Sequence, residues 1–131
     1  MSLLSAFTTQ LENLAIELND ILPKNNKINN YSTAISLLKK NNPRKLYTLF
    51  LVHVYVYKKQ ILEKDESFFL DNDYSDIAKK NKGIIFMNSL KQYWNILGDI
   101  NKNNIWLYFQ VLIKLCEKIE HQSKPNLFIN V

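Results

Sequence analysis

The stretch Asn104-Ile105-Trp106-Leu107-Tyr108-Phe109-Gln110-Val111-Leu112-Ile113-Lys114-Leu115-Cys116-Glu117-Lys118-Ile119-Glu120 sets the architecture. Ile105, Phe109, Leu112, Cys116 and Ile119 recur at intervals of four, three, four and three, the period of one face of an α-helix. Trp106, Leu107, Tyr108, Val111 and Ile113 are apolar too, leaving a narrow polar row at Gln110, Lys114, Glu117 and His121. A helix apolar on nearly every side must be surrounded. Either it lies with the third helix at the centre of a bundle, covered by the first and fourth, or part of its surface meets another chain.

This fifth helix begins near Asp99 or Asn103, and a fourth is expected upstream over Ile84 to Leu97, closed by Gly98 as a left-handed cap. Tyr93 and Trp94 are adjacent, about 100° apart on a helix, so only one can point squarely into a core. Trp106 and Tyr108 pose the same problem, and Tyr and Trp are enriched at interfaces. Tyr93, Trp94, Trp106 and Tyr108 are therefore the candidate partner-binding residues, against the commoner fate of an aromatic side chain, which is core packing.

Asn42-Pro43 reads as an N-cap with proline at the first helical position, opening a third helix to about Leu62. Val52, Val54 and Val56 alternate with His53, Tyr55 and Tyr57 in a manner that also suits a strand, yet the chain offers no second strand-like run to pair with it. A short second helix is expected from Ser32 to Lys40. The first is the clearest: Leu3, Leu4, Phe7, Leu11, Leu14, Ala15, Leu18, Ile21 and Leu22 hold helical spacing until Pro23 and the Asn-rich run after it. A linker fills Lys64 to Lys82. The reading is all-α: a single compact bundle of four to five helices over residues 1–131, without internal repeats.

The composition agrees. In 131 residues, 47% are hydrophobic, enough for a core without disulfides or a structural metal. Two glycines exclude the Gly-rich phosphate loops of most nucleotide-dependent enzymes. The opening residues carry no basic n-region, and Glu12 interrupts any signal-peptide hydrophobic stretch. The most apolar run, Leu46 to Tyr57, would span about 18 Å as a helix, short of the roughly 30 Å hydrocarbon core. With a single cysteine as well, these features predict an intracellular protein that is not secreted and does not engage a membrane.

Charge is uneven. Between Ile21 and Leu62 lie eight basic residues and no acidic one, whereas Glu63 to Asp76 holds six acids against one lysine. Lys39, Lys40, Arg44, Lys45, Lys58 and Lys59 form a candidate basic surface for phosphate backbones or an acidic protein, with ordinary solvation as the plainer reading. Arg44 is the sole arginine, which argues against base readout and leaves nonspecific contact with nucleic acid.

The catalytic and metal patterns fall away. Asp71 to Asp76 begins like a calcium loop, but Asp76 stands where glycine must turn the chain and Lys82 where the bidentate glutamate belongs. His53 and His121 each lack a partner at helical ligand spacing, so no zinc site is expected. Cys116 sits on the apolar stripe, where burial raises a thiol pKa and suppresses reactivity. Glu63 and Glu66 stand one turn apart without implying a pocket, and the apolar tail Phe128 to Val131 suits docking or disorder. No cofactor or catalytic residue is assigned.

Leu90-Lys91-Gln92-Tyr93-Trp94 followed by Asn104-Ile105-Trp106-Leu107-Tyr108-Phe109-Gln110-Val111-Leu112 resembles short helical proteins encoded by large nucleocytoplasmic DNA viruses, over the C-terminal half. The abundance of Lys and Asn suits AT-rich coding. The resemblance implies an infected-cell or virion setting in which small helical proteins serve as assembly or interaction parts, and it carries over no catalytic residue. The expected function is a non-enzymatic protein–protein interaction or structural role, with a protein partner or self-association. A basic module on nucleic acid is the alternative, and an enzyme with a dispersed site is the third class.

Overall fold

A computed structural model of the chain describes residues 2–22, 28–67 and 91–123. Among them are five α-helices and no strand: α1 (Leu3–Ile21), α2 (Ile28–Asn41), α3 (Pro43–His53), α4 (Lys58–Leu62) and α5 (Asp99–Ser123). Two 3-10 turns, Tyr55–Tyr57 and Trp94–Ile96, join or lead into them. The fold is the expected all-α bundle. Most of the expected fourth helix, the calcium-like run and the C-terminal tail lie outside the described residues.

α1 starts where Ser2 Oγ accepts the Ser5 N–H at 3.0 Å, satisfying one of the unpaired first-turn amides. Its stripe buries Phe7, Leu11, Leu14, Ala15 and Leu18, and the buried Thr8 hydroxyl donates to the Ser5 carbonyl at 3.2 Å. α1 packs against α2, α3 and α5, while α5 packs against α1 and α4. Among the described residues α1 is the shared neighbour, and α5 keeps Ile100, Leu107 and Val111 exposed. Phe7 sets the α1–α3 contact, edge-on to Tyr47 and Phe50 with centroids 5.5 and 5.2 Å away.

α2 begins four residues before the expected Ser32, taking in Ile28, Asn29, Asn30 and Tyr31 despite the turn preference of asparagine. It adds Ile35 to the core and ties to α1 by polar bonds as well. Ser36 Oγ and Lys39 Nζ donate to the two Glu12 carboxylate oxygens at 2.7 and 3.0 Å. α3 opens as the sequence predicts, with Asn42 Oδ1 accepting the Lys45 N–H at 3.3 Å and Pro43 in the first turn.

The third helix does not run on to Leu62. It stops at Val54, whose N–H still reaches Phe50, and the chain tightens into a 3-10 turn in which the Tyr57 N–H donates to Val54. Alternating β-branched and aromatic residues lose side-chain freedom against the preceding helical turn, so the ambivalent stretch becomes a break rather than a strand. The five-residue α4 is fastened from outside: Gln110 Nε2 donates to the Ile61 and Leu62 carbonyls at 3.2 and 3.4 Å, and Ile61 is buried.

Lys64 ends α4 with φ 53°. The Asp65 N–H donates to Gln60 and the Lys64 N–H to Ile61, the paired bonds of a Schellman closure. Gly98, expected as the left-handed cap, has no positive φ; it follows the extended Leu97, and its carbonyl accepts the Lys102 N–H at 3.0 Å as α5 begins. The left-handed cap thus falls on a lysine, where L-side-chain sterics oppose it. Lys64→Gly and Lys64→Ala both delete the Lys64 Nζ bond to Asn103 Oδ1 and differ at this backbone position. Urea unfolding is expected to find the glycine variant more stable by about 1 kcal/mol.

Candidate functional site

α5 buries Ile105, Phe109, Leu112, Cys116 and Ile119, the stripe read from the sequence, together with Trp106 and Ile113. Its opposite side is apolar in part: Ile100 is 79% exposed, Leu107 46% and Val111 44%. Spaced by seven and four residues, these three fall within about 40° of one another around the helix. Lys114 and Lys118 continue the exposed row toward the C-terminus. Further large apolar side chains stand exposed at Val52 and Val56, one turn apart around the α3 break, and at Ile96 just before α5.

The four expected aromatic contacts divide. Trp94 and Trp106 are 1% and 6% exposed, too enclosed to meet a partner, and this corrects their reading as partner-binding residues. They meet edge to face with centroids 5.5 Å apart. Trp94 Nε1 donates to Glu66 Oε1 at 2.7 Å, and Lys102 lies over the Trp94 ring while its Nζ stands 3.6 Å from Glu66. A buried indole needs such an acceptor, and an acid distant in sequence supplies it. Tyr93 and Tyr108 are half-buried. Burial and a hydrogen bond to Glu17 raise the Tyr108 hydroxyl above its ordinary pKa.

The six basic candidates also divide. Lys39 is committed to Glu12, and Lys58 donates to Glu117. Lys40, Arg44, Lys45 and Lys59 are exposed. Arg44 and Lys45 occupy the first turn of α3, the positive end of the helix dipole, where cations are disfavoured. The Arg44 guanidinium lies 5.8 Å from the centre of the Tyr47 ring.

Sequence reading missed the polar seam between α5 and the α3–α4 arm. Tyr47 Oη donates to Glu120 Oε2 at 2.6 Å, with the Cys116 carbonyl at 3.4 Å. Tyr55 Oη donates to Glu117 Oε2 at 3.0 Å, and Lys58 reaches the same oxygen. The hydrogen bond from Lys58 holds the Glu117 carboxyl below its ordinary pKa, and burial raises both tyrosines. Burial likewise pushes the Cys116 thiol up to about 12, which leaves it protonated and a poor nucleophile near neutrality. Among the described residues no three His, Cys, Asp or Glu side chains assemble as a metal-binding set, and no helix is long and apolar enough to cross a membrane.

No known protein family, characterised protein or solved structure matches the chain.

Glu12 and Glu117 give the bundle an acid limit. Hydrogen bonds from Ser36 and Lys39 lower the Glu12 pKa, so both carboxylates titrate below their ordinary 4.5 when folded. Each adds stability that is present above the unfolded value and lost as pH falls through the lowered one. Denaturation midpoints are expected to drop below pH 4.5, and the double variant Glu12→Gln/Glu117→Gln to be less stable at pH 7 with a shallower acid decline.

Proposed function

We propose that this protein is a non-enzymatic interaction or assembly component that associates with itself. The observation that carries the reading is the apolar row Ile100, Leu107 and Val111 on the exposed side of α5, the longest of the described helices. Apolar surface in register along a rigid element is the kind of face a protein partner covers. Its side chains stand opposite those that pack the core formed by the described residues. The resemblance to small helical proteins of large DNA viruses supports an assembly role inside an infected cell or a virion.

Sedimentation equilibrium over a wide concentration range tests the reading. The average mass is expected to rise above that of a monomer, and Val111→Lys to return it to monomer with the helical circular dichroism unchanged. A monomer mass at every concentration overturns self-association.

One observation favours a second reading, contact with nucleic acid. Lys40, Arg44 and Lys45 gather at the α2–α3 corner without an ion pair to any described residue, and two of them oppose the dipole of their own helix. Phosphate contacts release counterions, so affinity for random-sequence DNA is expected to fall steeply with salt and to fall again in the triple glutamine variant. Binding indifferent to salt, measured by fluorescence anisotropy, removes this reading.

A further inference from the structure

Resting on the self-association reading, we infer that the partner on the outer face of α5 is a second copy of the same helix, packed antiparallel about a two-fold axis beside Leu107. The argument begins with spacing. Ile100, Leu107, Val111, Lys114 and Lys118 follow intervals of seven, four, three and four, the seam of two helices crossing at a shallow angle. A seam of this kind needs its own complement, and the direction of pairing decides whether it has one.

Charge on the exposed side of α5 is polarised, since Lys102 and Glu117 are taken up in ion pairs with Glu66 and Lys58. Asp99 stands at its start, and Lys114 and Lys118 lie toward its end; all three are exposed, and neither Asp99 nor Lys114 is ion-paired with another described residue. Parallel pairing in register would set Lys114 against Lys114 and Lys118 against Lys118. Antiparallel pairing about Leu107 does the opposite. Lys114 lies seven residues to one side of Leu107, while Ile100 and Asp99 lie seven and eight to the other. Lys114 of one copy then stands level with the partner's Asp99, twice over by symmetry. Both side chains lie on the same flank of the apolar row, since Asp99 and Lys114 are each displaced from its centre in the same rotational sense.

The apolar contacts fall into the same register. Leu107 meets the partner's Leu107 at the axis, and Val111 comes between the partner's Asn104 and Ile100. Ile100, the most exposed of the three, is covered by the partner's Val111 and the aliphatic stem of its Lys114. Lysine at the end of the row lengthens the apolar strip while keeping its ammonium in water.

Charge reversal and cross-linking test the register. Asp99→Lys or Lys114→Asp alone is expected to weaken dimerisation about tenfold or more in sedimentation, and the two together to restore it. Leu107→Cys is expected to form a disulfide-linked dimer under oxidised glutathione, whereas Lys118→Cys is not; Cys116 is buried and does not interfere. If Leu107→Arg dissociates the protein but the double reversal fails to rescue, or if the Lys118→Cys variant cross-links and the Leu107→Cys variant does not, the antiparallel register is overturned and self-association stands. A protein that remains monomeric at every concentration overturns both.

Discussion

Glu117 and Glu120 project from one stretch of α5 toward two tyrosine hydroxyls, Tyr55 and Tyr47, that arrive from either side of the break at Val54. This seam holds the architecture together. α3 is bound to α1 through Phe7, and the two carboxylates bind α3 and the turn after it to α5, so three helices close around one core. The break itself belongs to the arrangement. Around the 3-10 turn Tyr55 and Lys58 both meet Glu117 while Ile61 enters the core.

This closure also accounts for the side of α5 that stays outside. α1 covers one flank and α4 with the tyrosines covers the other, so the helix is held like a rod in a trough rather than enclosed. Burial of Trp94 and Trp106 and exposure of Leu107 are two results of the same geometry. The largest apolar side chains fill the trough, and medium-sized ones line the open side.

Much of this was legible in the sequence, and the part that was not has a physical cause. The stripes of α1 and α5 and the Asn42-Pro43 entry to α3 are local signals, set by residues within a turn or two of one another. The break at Val54 was visible only as ambiguity, because the residues that crowd a helix there also suit a strand, and the bonds from Tyr55 and Lys58 to Glu117 come from far along the chain. The same holds for Trp94: its indole reads from sequence as a candidate partner contact, and Glu66 and Lys102 supply it with a polar partner and a lid within the fold. For the candidate surface, the spacing of Ile100, Leu107 and Val111 was available in the letters, but only the choice of α1 as the shared neighbour tells which side of α5 is left open.

The pairing of the two tryptophans gives the molecule a built-in optical probe. The chain has no other indole, and these two stand edge to face at one corner, where α5 begins. Intrinsic emission therefore reports a single locus, and the rings are close enough to exchange excitation. A spectral shift signals that this corner has opened to water; a rearrangement confined to α2, at the far side of α1, would be silent to the same lamp.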